Sequence, residues 1–415
     1  LIGLVAYPVL LDPLFPIATQ TFSWSLGYGV LAILLIGSGW SAFATGGGRA
    51  PAVSDEVATH REKADRSLWQ QRLWWLVCAF IPSSLLVGVT THISTDIASV
   101  PFLWALPLIL YISSFIIVFS KRPVLTLAQS NRLLPMAVAT AALALFSNIQ
   151  LNLFLSIPVH LLTLFLAAMV GHGAMAAERP EAKRVTEFYL IMSLGGVLGG
   201  AFNALLVPLI FNSVIEYPLM ILAILALRPG LRWMGQGRTR VWSLTAVLAL
   251  IAAGIVHINL GIDASNQLTY RIIAMIAIAA IIMSAHSKLG PVIAAACTFG
   301  ISAFANPTGT GLLDRSFFGV VKVLELDGFR VLKHGTTQHG AQFLAPEKAL
   351  IPTTYYAEAT PIGQVFSTHK RPGNVGIVGL GTGSVACYAR PGQAYTYYEI
   401  DPLVAKLAKD PEHFS

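Results

Sequence analysis

Stretches of about 20 apolar residues, the length that carries an α-helix across the roughly 30 Å of bilayer hydrocarbon, recur along most of this chain and decide what it can fold into. They lie at about 25–44, 73–90, 101–119, 134–148, 153–177, 187–211, 240–258 and 268–286, with shorter candidates at about 1–20, 214–228 and 290–304. In lipid every backbone polar group needs an internal partner, which a helix supplies and an open sheet does not. Residues 1–304 therefore read as a polytopic transmembrane helical domain of nine to eleven spans. With 55% hydrophobic and only 11% charged residues, against about 25% charged in soluble domains, a water-soluble fold is excluded for most of the chain.

The loops alternate in charge. Arg49, Arg61, Lys63, Arg66 and Arg72 cluster in one, Thr91 to Val100 has no basic residue, and Lys121, Arg122 and Arg132 follow. Arg179, Lys183 and Arg184 come next, then Arg228, Arg232, Arg238 and Arg240, whereas Ile258 to Gln267 has none. Excess Lys and Arg marks cytoplasmic loops, so the net charge of +7 reports the orientation of a multi-pass membrane protein, with the lipid bilayer as partner and no nucleic acid. A full crossing by 290–304 would put everything after Ala305 outside. Either the terminal domain is extracytoplasmic or, as favoured here, it is cytoplasmic and 214–228 or 290–304 is re-entrant.

Leu1 opens inside an apolar run, so the chain reads as a fragment of a longer polypeptide, and Pro8, Asp12, Pro13 and Pro16 argue against a signal peptide. Cys78, Cys297 and Cys387 are scattered without metal spacing, which predicts neither a disulfide framework nor a metal site. Gly195-Gly196-Val197-Leu198-Gly199-Gly200 carries two overlapping GxxxG spacings, which predict a close backbone approach between helices. Asp96, His160, His172, Glu187 and His257 are ionisable groups in or near spans, the kind that lipid tolerates at headgroup level or for function.

From Ser316 the pattern changes to alternation, with apolar residues either side of Asp327-Gly328, a strong hairpin signal. Residues 305–371 thus read as a small antiparallel β subdomain. Residues 372–415 read as the start of a Rossmann-like α/β domain: an apolar strand enters a Gly379-x-Gly381-x-Gly383 turn, and a second strand ends on Glu399. Glycines let a backbone approach a nucleoside, and an acid at the second strand's end accepts ribose hydroxyls. Glu399 follows Gly381 by 18 residues, near the roughly 20 expected of that acid. Position 384 is Ser, a departure from the dinucleotide GxGxxG pattern.

The GxGxG turn followed by YEIDPLVAKLAKDP resembles the S-adenosylmethionine-type motif of spermidine synthases, the polyamine aminopropyltransferase family, which also place a small β-domain before the Rossmann-like one. Gln342 and Tyr356-Ala357-Glu358 are similar to that family's Q and Y-H-E elements, and with the multi-span front and Thr186 to Gly200 the chain resembles bacterial fused membrane spermidine synthase-like proteins. The resemblance implies a membrane-anchored transferase acting on decarboxylated S-adenosylmethionine, or S-adenosylmethionine in a methyltransferase variant, and on a polyamine or related amine, without a metal. It assigns Gly379, Gly381, Gly383 and Glu399 to the nucleoside, Asp401 to supporting that turn or capping the next helix, and Gln342 and Tyr356 to the amine. His334 and His339 could orient substrate. Ala357 replaces the family's histidine, and the acidic catalytic loop is expected beyond Ser415. Two other readings compete: a non-catalytic scaffold or accessory subunit of a membrane complex with partner chains, and an amine transporter.

Overall fold

The computed structural model describes residues 1–44, 67–98, 100, 102–145, 152–259, 267–305, 311–368 and 373–414. Arg49, Arg61, Lys63 and Arg66 therefore lie outside the described residues, as does most of the loop after Ile258. The chain divides into a unit of Leu1–Trp69 and a unit of Gln70–Ser415, and the fold is mostly helical with one small antiparallel sheet.

The first unit is dominated by helix α1, Ile17–Ala44. Its large apolar side chains, among them Phe22, Ile33 and Trp40, are exposed. That is the pattern of a helix whose solvent is hydrocarbon.

In the second unit the helices are α2 (Leu68–His92, continued by a π-helical turn to Ile97), α3 (Ala105–Val118), α4 (Leu127–Leu145), α5 (Leu153–Ala177) and α6 (Val185–Ala201). After α6 come α7 (Glu216–Leu227), α8 (Gly237–Asn259), α9 (Gln267–Met283) and α10 (Leu289–Ala305). Among the described residues, five helical stretches are long and apolar enough to cross a membrane: Ile17–Ser41, Leu68–Ile97, Leu153–Ala177, Ala182–Ile210 and Gly237–His257. That is fewer than the nine to eleven spans expected from sequence; other apolar helices, such as Ala105–Val118, Glu216–Leu227 and Leu289–Ala303, are shorter. At 1.5 Å per residue, the 12 residues of α7 give about 18 Å. Tyr217, Ile221, Ile224 and Leu225 of α7 are buried in the helical core, so protein rather than lipid surrounds this helix and it need not match the bilayer thickness.

Contacts between the helices sort their ends into two sets. In one, Arg72 of α2 and Arg184 hold Glu187 of α6, and the indole of Trp75 donates to Glu178 O at the end of α5. Arg228, just after α7, donates to Asn131 on α4 and to Ala285 O after α9, while Lys288 and Leu289 at the start of α10 donate backbone N–H to Arg232 and Trp233. In the other set, His92 at the end of α2, His160 early in α5 and Tyr217 early in α7 form one buried polar cluster: Asp96 Oδ2 lies 3.0 Å from His92 Nδ1, and the Tyr217 hydroxyl lies 2.8 Å from His160 Nδ1. Helix α7 thus runs between the two sets. Glu216–Leu227, within one of the two segments considered as re-entrant, is a continuous helix.

The GxxxG expectation resolves into two faces. A Cβ on Gly195 would meet Leu76 O at 2.5 Å and one on Gly199 would collide with Phe80 O, whereas Gly196 and Gly200 face open space. One glycine pair therefore seats α6 against the α2 backbone, and Ser83 Oγ donates to Gly196 O at 2.7 Å across the same contact.

Four strands follow in a meander: β1 (Leu313–Ser316), β2 (Gly319–Leu326), β3 (Phe329–His334) and β4 (Thr337–Phe343), in sheet order β1-β2-β3-β4. The Asp327-Gly328 turn has positive φ at both positions, 50° and 83°, as a two-residue hairpin of matching twist requires. After helix α11 (Pro361–Thr368) come β5 (Val375–Val378) and β6 (Tyr395–Tyr398), a two-stranded parallel pair with Val375 opposite Tyr395, and then α12 (Pro402–Lys409). The link between β5 and β6 contains the 3-10 turn Ser384–Tyr388 and no α-helix.

The sheet is fastened to the second set of helix ends. Arg315 on β1 forms a bidentate pair with Glu216 (2.9 and 3.2 Å) and donates to Ser213 O at 2.9 Å. Thr336 N, in the β3–β4 turn, donates to Thr95 O at 3.0 Å.

Candidate functional site

Where β5 meets the four-stranded sheet, a hollow of about 320 Å³ is bordered by the glycine turn, the end of β6 and residues of β3 and β4. Its volume is at the low end of the roughly 300–1,000 Å³ typical of small-molecule sites. Of the residues singled out from sequence, Gly379, Gly381, Tyr356, Glu399 and Asp401 line it, joined by His334 and His339. Gly383 and Gln342 do not line it, and Gln342 Nε2 donates to Ala349 O at 3.3 Å.

The glycine turn has two physical reasons for its composition. Gly379 has φ +86° and no atom within 4 Å of where a Cβ would sit, so the missing side chain leaves open space. Gly381 has φ +57°, and a Cβ there would meet His339 O at 2.5 Å. Its requirement is therefore partly architectural, because the turn is pressed against β4.

Glu399 stands at the expected end of the second strand, one residue beyond β6, and its carboxylate faces inward. Oε2 accepts from Leu380 N at 2.8 Å and Oε1 from Asp401 N at 2.9 Å. Each oxygen retains a lone pair, so the group holds the turn and can still accept from a ligand hydroxyl. Asp401 is buried and both its oxygens hold the protein's own groups: Oδ1 caps α12 by accepting Leu403 N at 2.9 Å, and Oδ2 accepts the Ser316 hydroxyl at 2.7 Å. Of the two roles considered for it from sequence, the cap is the one its geometry displays.

Titratable side chains also line the hollow. Burial, with help from His334, pushes the His339 imidazole below its ordinary pKa, against a smaller opposing pull from Glu399. The His339 and His334 ring centroids are 6.0 Å apart. Tyr356, stacked obliquely 4.3 Å from Tyr355, has its phenol pushed up by burial and then by the Tyr355 hydroxyl, so it remains a neutral donor. Val378 and Ile400, 91% and 76% exposed, form an apolar lip beside the hollow on which a flat ring can lie. Among the described residues no group of three metal-ligating side chains converges.

Sequence reasoning missed strands β1 and β4 and the joint they serve. TQHGAQF has no apolar alternation, and nothing local couples Arg315 to Glu216 across 99 residues. It also missed Tyr355 as a lining residue, though its position next to Tyr356 was the available signal. Comparison of the chain with family models, with curated proteins and with solved structures returns no match.

Proposed function

We propose that this is a membrane-anchored, spermidine synthase-like aminopropyl transferase whose hollow holds the nucleoside part of decarboxylated S-adenosylmethionine. The observation that carries the reading is the convergence of Gly379, Gly381, Glu399, Tyr356 and His339 on one hollow. It is supported by the parallel β5–β6 pair with a glycine turn at the end of its first strand, the way a Rossmann-like half begins. In the reaction an amine nitrogen lone pair attacks the carbon beside the sulfonium, a C–N bond forms, and the C–S electron pair leaves with sulfur as a neutral thioether. The new ammonium then releases a proton. Catalysis of this kind is mainly positioning together with proton transfer. His339, kept neutral by its surroundings, supplies a proton acceptor within the hollow.

A second reading, a non-catalytic accessory module of a membrane complex, is favoured by a specific observation. Both oxygens of Glu399 and both of Asp401 already hold the protein's own groups, and Ala357 stands where the resemblance calls for histidine.

Calorimetric titration of the detergent-solubilised protein with decarboxylated S-adenosylmethionine, and separately with S-adenosylmethionine, tests the choice. The transferase reading expects saturable binding that weakens in Glu399→Gln, which keeps one acceptor for the turn, and disappears in Glu399→Ala. No binding by folded wild type removes it and leaves the accessory module.

A further inference from the structure

The two sets of helix ends differ sharply in charge, and the sheet is fastened to one of them. The ends joined through Glu187, Asn131 and Ala285 carry Arg72, Arg132, Arg184 and Arg228, with Lys121 and Arg122 following α3, whose neighbour Phe119 stacks edge-on against Phe188 of α6. The opposite ends carry Asp96, His92, His160, Glu216 and Tyr217, and Arg271 on α9 is the only Lys or Arg that the described helices contribute there. His257 and Tyr270, ring centroids 5.0 Å apart, join the end of α8 to the start of α9.

Both fasteners of the sheet belong to the poorly basic ends. Arg315 reaches Ser213 and Glu216, where α7 begins, and Thr336 reaches Thr95, in the π-helical turn that ends α2. Helix α10 agrees: it starts beside Trp233 at the basic ends, and Ile301, near its other terminus, packs on the position of Gly254 late in α8. Lys and Arg bias holds basic loops in the cytoplasm, so the sheet lies across the membrane from them. We propose that the hollow opens on the extracytoplasmic side and takes its ligand, a nucleoside-type solute, from that compartment. This departs from the cytoplasmic placement expected from sequence, which needed a re-entrant segment, because α7 and α10 each join one set of helix ends to the other. The ligand class rests on the functional reading above, but the side does not.

The test is cysteine labelling in spheroplasts of a bacterial host, with the native cysteines replaced (Cys78→Ala, Cys297→Ala, Cys387→Ala) and a single new cysteine at exposed Lys348 in the sheet module or exposed Lys121 at the basic ends. A membrane-impermeant maleimide is expected to label Lys348→Cys in intact spheroplasts and Lys121→Cys only after lysis. Labelling of Lys348→Cys only after lysis overturns the proposal. Each variant is first shown to unfold at the temperature of its parent, so that exposure reports sidedness. Calorimetry with decarboxylated S-adenosylmethionine reads the ligand class separately: outside labelling without binding removes the nucleoside and keeps the side, whereas binding with labelling only after lysis does the reverse.

Discussion

Breaking the Arg315–Glu216 pair should release the sheet from the helical domain. The side chains are 7% and 2% exposed, and both guanidinium Nη atoms reach the carboxylate. Removing one partner of such a pair strands the other charge and costs about 3–5 kcal/mol. With every 1.4 kcal/mol worth tenfold in an equilibrium, docking would weaken roughly a hundred- to several thousand-fold. The readout is amide hydrogen exchange of the β1–β4 peptides in detergent or nanodiscs, where local opening energies appear directly as protection. Glu216→Gln and Arg315→Met should each lose protection on that scale. The double variant should lose little more than the worse single, because no unpaired charge remains. Additive losses, or singles that leave protection unchanged, would refute the claim that this pair fastens the sheet.

Other consequences follow from close contacts and titration. Gly195→Ala and Gly199→Ala should lower the unfolding temperature in detergent, since their Cβ atoms collide with α2 carbonyls, whereas Gly196→Ala and Gly200→Ala meet nothing and should be neutral or gain slightly from helix propensity. Gly381→Ala should cost about 1–2 kcal/mol from the left-handed backbone alone, with more from the contact at His339 O, read as a lowered denaturation midpoint of the sheet module. The His339 imidazole, depressed by burial, should titrate by ring-proton NMR with a midpoint below about 6.5, the ordinary histidine value. Because the unfolded chain then binds more protons than the fold, this group's stabilisation is complete above that ordinary value. It is lost as pH falls through the depressed one. His339→Gln should remove that part of the acid sensitivity, and an unchanged profile would exclude His339 as its source.

The helical front was legible because lipid imposes a single rule, a long apolar run, that each segment states locally. The Asp327-Gly328 hairpin was legible for a similar reason, since the dipeptide itself selects the turn. What escaped was long-range. Thr337–Phe343 becomes a strand because β3 offers an edge, with Val331 opposite Ala341, and its polar sequence does not announce it. Glu216 sits in an otherwise apolar helix start and reads as a stray charge until Arg315 is seen against it. Gly379, Gly381 and Glu399 line one hollow, whereas Gly383 of the same motif does not. Their partners Leu380 N and His339 O are backbone atoms, which no side-chain motif encodes.

The placement of His334 and His339 joins the hollow to the membrane domain mechanically. The two residues flank the β3–β4 turn, and that turn is bonded through Thr336 to Thr95, one residue before the Asp96 that pairs with His92. A Cβ on Gly335 would overlap Thr95 O, so the turn and the end of α2 touch at backbone level with no flexible side chain between them. On its other side His339 O meets Gly381. The path from the buried His92–His160–Tyr217 cluster to the glycine turn therefore runs through backbone contacts and short strands, elements that shift together because packed interiors are nearly incompressible. Replacing Gly335 with Ala should then disturb both ends at once. Sheet protection near Thr336 should fall, and the His339 ring resonance should move, although Gly335 itself does not line the hollow. A Gly335→Ala variant that loosens the turn and leaves the His339 resonance in place would show that the hollow is mechanically separate from the helices beneath it.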